Sequence, residues 1–178
     1  MPERLTHDVL ILGAGLAGLR AAVEISRRLD GKVDVGIVSK VQLMRAHSVC
    51  AEGGTAAMLR PDEGDSLELH AWDTVKGSDF LADQDVVRRF VETIPGEILQ
   101  LDHWGIPWTR DERGRIAQRP FGGHSFPRAT LAADKTGFFE MQTLYDTLLR
   151  YRCFTRYDEF FVTDILIQEG RFAGLVGI

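Results

Sequence analysis

Cysteine is scarce in this chain, with two residues in 178, Cys50 and Cys153. Neither stands at metal-ligand spacing, so no disulfide framework and no thiolate metal site is expected, and the low count suits a reducing compartment. Positive charge is not in excess either. With 21 Lys and Arg against 26 Asp and Glu, the formal charge is −5. That argues against a general nucleic-acid binder, because phosphate contacts need a basic face. Long apolar runs are missing, and no stretch approaches the ~20 apolar residues of a membrane-spanning helix. The run Asp8-Val9-Leu10-Ile11-Leu12, close behind Met1-Pro2-Glu3-Arg4, is shorter than a signal peptide's hydrophobic region, so no targeting segment is expected. His70, His103 and His124 lack metal-binding spacing; ordinary hydrogen-bonded roles are expected for them, and no metal site. What remains, 44% hydrophobic and 26% charged, suffices for one globular domain.

The opening reads as strand, helix, strand. Asp8 to Leu12 is short, apolar and followed at once by glycines, which predicts a buried parallel strand. A helix is predicted from Leu16 to Leu29, with Leu19, Ala22, Val23 and Ser26 on one face and Asp30-Gly31 as its stop. Val33 to Ser39 is the second strand. A long irregular region is expected next, interrupted by helices. The apolar positions Val87, Phe90, Val91, Ile94, Ile98 and Leu101 have helical spacing, but Pro95 favours two tandem helices, Asp85 to Thr93 and Glu97 to His103. Gly137 to Tyr151 is a further helix with Met141, Leu144, Tyr145 and Leu148 inward, and Thr136 is a candidate cap for it. Near the end, Phe161 to Gln168 and Arg171 to Ile178 flank Glu169-Gly170 as a β-hairpin.

Two glycine clusters carry the chemistry. In Gly13-Ala14-Gly15-Leu16-Ala17-Gly18, the first glycine allows a tight turn out of the strand. The second lets a pyrophosphate approach the backbone, and the third lets helix and strand pack closely, with the helix N-terminus facing the phosphate charge. The motif follows a strand and opens a helix, the context that gives it meaning. Many such domains place Asp or Glu about 20 residues further on to hold ribose hydroxyls; this chain has Val38-Ser39-Lys40 there. Beyond it lies Met44-Arg45-Ala46-His47-Ser48-Val49-Cys50-Ala51-Glu52-Gly53-Gly54, a histidine followed by paired glycines.

With these features the chain resembles the flavoprotein subunit of succinate dehydrogenase and quinol:fumarate reductase. In that family the Ser-Lys pair is normal, and the matching histidine is bonded covalently to FAD. The likeness continues in family order through Trp104-Gly105-Ile106-Pro107-Trp108, Arg119-Pro120-Phe121-Gly122-Gly123, Ala132-Ala133-Asp134-Lys135-Thr136-Gly137 and Tyr157-Asp158-Glu159-Phe160-Phe161-Val162, and so covers practically the whole chain. Ala51-Glu52-Gly53-Gly54 and the Trp-Gly-x-Pro-Trp segment lean toward fumarate reductase. One departure is Ala46, where the family pattern has Ser or Thr before the histidine; that hydroxyl is not the bonding atom.

The resemblance implies an α/β fold, a Rossmann-like FAD-binding domain of the glutathione-reductase type, with residues 1–178 as its N-terminal portion and the hairpin at its C-terminal end. The capping (substrate) domain and C-terminal helical domain are expected to lie outside these residues, so no catalytic residue is assigned here. It assigns the pyrophosphate to Gly13, Ala14, Gly15, Leu16, Ala17 and Gly18, and the ribose region to Ser39 and Lys40. It assigns the flavin to His47 (covalently), Ser48, Glu52, Gly53 and Gly54, and the adenine to the backbone at Phe161 and Val162. Phe121 and Gly122 match a segment approaching the dicarboxylate, although Phe121 reads equally well as a core aromatic. Trp104 and Trp108 read as core. Asp62, Glu63 and Asp65 read as a solvated loop, and Arg110 to Arg115 as an exposed turn. The implied activity is interconversion of fumarate and succinate. The implied partners are an iron-sulfur subunit and membrane anchor subunits linking it to quinone, which would hold the protein peripherally on the cytoplasmic side of the membrane. Three alternatives stay open: an L-aspartate oxidase, disfavoured by Arg45-x-His47-Ser48; an inactive FAD-binding remnant; and an NAD-dependent dehydrogenase, disfavoured by the missing acidic residue.

Overall fold

The computed structural model describes residues 3–178; Met1 and Pro2, part of the Met1-Pro2-Glu3-Arg4 stretch named above, lie outside the described residues. The elements in chain order are β1 Val9–Leu12, α1 Leu16–Arg28, β2 Val35–Val38, β3 Thr55–Ala56, α2 Leu67–Gly77, α3 Gln84–Trp104, β4 Gln118–Arg119, β5 Ala129–Thr130, α4 Thr136–Leu148, β6 Phe154–Tyr157, β7 Val162–Gln168 and β8 Arg171–Gly177. They fall into two compact units, Met1–Val49 with Leu144–Ile178, and Cys50–Thr143.

The first unit is built on a parallel sheet in the order β1-β2-β6, with Val9 opposite Val35 and Val35 opposite Phe154. β2 is central and buried along its whole length. β1 departs from the expectation of a buried strand: it forms the sheet's edge, and Leu12 is 53% exposed. α1 buries Leu19, Ala22, Val23 and Ser26, the predicted face. It ends where predicted, because Asp30 and Gly31 both turn to positive φ (49° and 67°), which a continuing right-handed helix excludes. β6 was not anticipated; its alternation is too short to stand out in Phe154-Thr155-Arg156-Tyr157. The β7–β8 hairpin forms as predicted, with Glu169 and Gly170 at φ 52° and 75°, the two positive values of a tight primed turn.

Where an irregular region interrupted by tandem helices was expected, the second unit has a small antiparallel sheet, order β3-β5-β4, and the helices α2 and α3. Two-residue strands leave no periodic trace in a sequence. α3 is one continuous helix with Pro95 inside it, not two in tandem. An interior proline costs roughly 3 kcal/mol. One helix, however, keeps Val87, Val91 and Ile98 buried together, and each such side chain contributes about 1.5–3 kcal/mol. Burial therefore outweighs the lost hydrogen bond. α2 was missed altogether. Its cap is ordinary, with the Ser66 hydroxyl accepting from Leu69 N–H at 3.0 Å, but the residues it buries are His70 and Asp73, so no apolar stripe announces it.

The core here comprises Ala57, Ile98, Ile106, Trp108, Ile116 and Ala132. Trp108 is thus core as expected, and its indole N–H donates to the Ile98 carbonyl at 3.4 Å. Thr136 corrects another expectation: it is the first residue of α4, and its hydroxyl accepts the Ala132 N–H at 3.2 Å instead of capping the helix. Among the described residues no helix is long and apolar enough to cross a membrane.

Candidate functional site

The C-terminal ends of β1, β2 and β6 form the chemically prepared edge of the first unit. Leaving β1, Gly13 takes φ +104° and donates its N–H to the Val38 carbonyl at 2.8 Å, which ties the turn to β2. A Cβ on Gly18 would overlap the Gly13 carbonyl oxygen, so the third glycine is required by close packing of helix on turn. α1 has Gly15 at its N-cap position, a residue with no side chain to cap the helix. The first N–H groups of a helix have no intrahelical acceptor and carry its positive end. Here the Leu16 N–H reaches the Ser48 hydroxyl at 3.3 Å, and a Cβ on Gly15 would stand 3.2 Å from that same oxygen. Ser48 thus lies against the turn. Ala14 is buried beneath it, and Ala17 is exposed. A helix start preceded by glycines, with only the Ser48 hydroxyl on its first N–H, is suited to a phosphate.

Ser39 closes the end of β2. It is buried, its N–H donates to the Tyr157 carbonyl at 2.9 Å, and its own carbonyl accepts from Phe160 N–H at 3.0 Å. Lys40 is exposed, with its ammonium 5.3 Å from the centre of the Phe161 ring. The Phe161 N–H and carbonyl exchange hydrogen bonds with Ile178 at 2.7 and 3.0 Å. Its N–H is thus engaged, its carbonyl accepts one bond and its side chain is half exposed; Val162 begins β7 beside it. His47 is exposed at the start of a short 3-10 helix, His47–Cys50, whose Val49 N–H donates to Ala46 at 3.0 Å.

The remaining predicted residues come together in the second unit. Gly54, at φ +89°, could carry no Cβ without approaching the Thr130 carbonyl oxygen to 2.5 Å. Gly53 lies under Phe121, whose ring would be 3.2 Å from a Cβ there. Arg119 spans the pair, with its guanidinium 5.9 Å from the Phe121 ring centre and its Nη2 3.5 Å from the Gly53 carbonyl. Phe121 is 49% exposed, which rules out the core reading. Glu52 and Gly122 are exposed beside these residues in sequence. The Ala51 carbonyl accepts from Gly137 N–H at 2.8 Å, and the Thr55 hydroxyl donates to Glu140 at 2.5 Å. Burial pushes the Glu140 carboxyl above its ordinary range, and the Thr55 hydrogen bond pulls it part of the way back.

Sequence reasoning missed the buried charges of this unit. Arg128 is completely buried and forks between two carboxylates: its Nε and Nη2 donate to Asp65 at 2.9 and 2.5 Å, and its Nη1 donates to Asp73 at 2.5 Å. Asp65, expected in a solvated loop with Asp62 and Glu63, is 4% exposed; the other two do lie at the surface. Burial works against the charge on Asp73, but the Ser125 hydroxyl and N–H and the Arg128 guanidinium outweigh it and hold the carboxyl below the usual range. His70, also buried, is pushed down to about 4 by desolvation and by the Arg128 charge. Its Nδ1 and that of His124 have no hydrogen-bond partner among the described residues, contrary to the hydrogen-bonded roles expected. Arg128 lies 63 and 55 positions from its partners, so no local spacing signals the triad.

Comparison with known proteins agrees with this geometry. A model of the FAD binding domain family matches residues 8–178. The chain is 52% identical to the fumarate reductase flavoprotein subunit of Mycobacterium tuberculosis over 97% of its own length and 29% of that protein's. It is 46% identical to the Escherichia coli fumarate reductase flavoprotein subunit over 96% of its length and 28% of the relative's. Among solved structures, a variant of the E. coli quinol fumarate reductase flavoprotein superposes with TM-score 0.92 at 45% identity, covering 98% of this chain and 29% of that one. The Mycobacterium smegmatis Sdh1 complex does so with TM-score 0.91 at 32% identity, covering 99% and 31%. The chain therefore spans less than a third of the length of these relatives. With all but its first seven residues accounted for by one family model, this chain belongs to the FAD binding domain family, and its cofactor is FAD.

Proposed function

We propose that residues 1–178 are the N-terminal part of the FAD-binding domain of a flavoprotein subunit that interconverts fumarate and succinate. The observation that carries this reading is 52% identity to a fumarate reductase flavoprotein subunit over 97% of the chain. The turn fits the cofactor: Gly13 and Gly18 accept no side chain without strain or overlap, and the N-cap of α1 is a glycine with no side chain of its own. In this reading Gly13 to Gly18 bind the pyrophosphate, and Ser39 and Lys40 lie by the ribose. The Phe161–Val162 segment meets the adenine, and Glu52, Gly53 and Gly54 bear on the flavin. Phe121 and Gly122 approach the dicarboxylate. When bound, FAD supplies a two-electron carrier able to accept or give up a hydride at N5. The capping domain of the complete subunit would supply the groups that clamp the dicarboxylate and deliver its proton. An iron-sulfur subunit would carry electrons, and membrane anchor subunits would hold the assembly peripherally at the cytoplasmic face and connect it to quinone.

His47 is the residue proposed to bond FAD, from a ring nitrogen to the 8α carbon. Its exposed position at the head of a 3-10 turn leaves the ring accessible for that bond. Such a substituent withdraws electron density from the flavin and raises its reduction potential, favouring succinate oxidation. In the complete complex, flavin fluorescence should therefore travel with the subunit on a denaturing gel. His47→Ser should retain FAD noncovalently and lose succinate oxidation more than fumarate reduction. A flavin-loaded wild-type subunit without in-gel fluorescence would sink the covalent assignment. A complete subunit that turns over neither dicarboxylate would sink the function.

A further inference from the structure

The segment Ala51–Thr55 contains two adjacent glycines, Gly53 and Gly54, the second in the left-handed region. Glycine loses more conformational freedom on ordering than any other residue, so such a segment needs outside contacts to hold one shape. Those contacts come from two elements of its own unit. β5 supplies the Thr130 hydroxyl, which donates to the Thr55 carbonyl at 2.7 Å. The start of α4 supplies the others: the Gly137 N–H donates to the Ala51 carbonyl at 2.8 Å, and a Glu140 carboxyl oxygen accepts from the Thr55 hydroxyl at 2.5 Å. Gly137 and Glu140 are three residues apart on a helix, hence on one face. One helical turn therefore grips the segment at both ends.

Glu140 is chemically out of place for packing alone. It is 5% exposed, next to fully buried Met141, and no Lys or Arg pairs with it among the described residues. A buried carboxyl is unfavourable unless hydrogen-bonded, and an aliphatic side chain would fill the same space without that cost. Its side-chain hydrogen bond is with Thr55, the residue that directly follows Gly54. We propose that Glu140 is a positioning residue, holding Glu52-Gly53-Gly54 through Thr55 in the shape that receives the flavin. This deepens the proposed function and rests on its assignment of that segment to the flavin.

The test uses the complete flavoprotein in a His47→Ser background, where FAD exchanges, and reads its dissociation constant and the visible circular dichroism of the bound flavin. Glu140→Met and Thr55→Val should each weaken FAD about tenfold and change the flavin spectrum, the scale of one buried hydrogen bond. The double variant should be no worse than either single one, because both remove the same bond. Glu140→Gln should stay within about twofold, since its amide oxygen still accepts from Thr55. Should Glu140→Met fail to fold, the near-isosteric Thr55→Val carries the test alone. Unchanged FAD affinity and spectrum in folded Thr55→Val would overturn the proposal, as would a Glu140→Gln variant as weak as Glu140→Met, or additive losses in the double variant. A wild-type protein without affinity for FAD would overturn the function as well; bound FAD with indifferent variants overturns only the role of Glu140.

Discussion

The turn of the first unit and the buried triad of the second are both polar centres, built in opposite ways. The turn, Gly13 to Gly18, is made of backbone, and its shape depends on side chains being absent. The triad of Asp65, Arg128 and Asp73 is made of side chains, all buried, and depends on charges drawn together from 55 and 63 residues apart. The backbone site spends its Gly13 N–H on the Val38 carbonyl and its Leu16 N–H on the Ser48 hydroxyl, and is shaped by glycine geometry and not by paired charges. A paired side-chain site has satisfied its charges internally and is left to organise the fold. Ser39 and Phe161 likewise spend backbone bonds on strand ends, while at the α1 start the first N–H is met by a side chain from elsewhere, the Ser48 hydroxyl.

The largest expected effect comes from breaking the side-chain centre. Arg128→Met leaves two buried carboxylates unpaired and should destabilise the protein by about 3–5 kcal/mol. Urea unfolding of the complete flavoprotein would measure it, and a loss below about 1 kcal/mol would mean that the second unit is not organised by this triad. Arg128→Lys should rescue little, since an ammonium cannot fork to both carboxylates.

Acid should reveal the same centre next. His70 binds its proton at about 4 in the folded protein against an ordinary value of 6.5, so between these values the unfolded chain holds more protons than the folded one. Stability from this group is complete above about pH 6.5 and falls as pH drops toward 4, by roughly 3 kcal/mol in all. His70→Leu should flatten that part of the stability–pH curve; an unchanged slope would assign the acid sensitivity to other groups.

The backbone centre should respond more in ligand binding than in stability. Gly18→Ala places a methyl against the Gly13 carbonyl, an overpacking expected to cost about 1–3 kcal/mol. FAD content after purification should fall much further, because the turn must shift to make room. Gly15→Val should abolish FAD binding, since its branched side chain would fill the phosphate's approach. Stoichiometric FAD in folded Gly15→Val protein would erase the distinction between the two centres.

Legibility followed the same line. α1, its stop at Asp30-Gly31 and the β7–β8 turn were readable because each depends on residue types within a few positions. α3 was readable as apolar spacing but not as one helix, because burial of Val87, Val91 and Ile98 overrides a local rule about Pro95. α2 was unreadable because its inward residues are His70 and Asp73, which look like surface until Arg128 and its partners are folded around them. Phe121 was balanced between two readings until its ring was found half exposed above Gly53.

The sequence by itself determined the glycine turn, the strand–helix–strand opening and the family resemblance, since these rest on backbone freedom and short-range periodicity written in consecutive residues. Only the tertiary structure decided that Asp65 is buried, that β6 completes the parallel sheet, and that α4 grips the Gly53-Gly54 segment through Gly137 and Glu140. The physical reason is range. A φ angle is governed by a residue and its neighbours, but the stability of a buried charge or carboxyl is governed by whichever distant groups the fold brings within hydrogen-bonding distance.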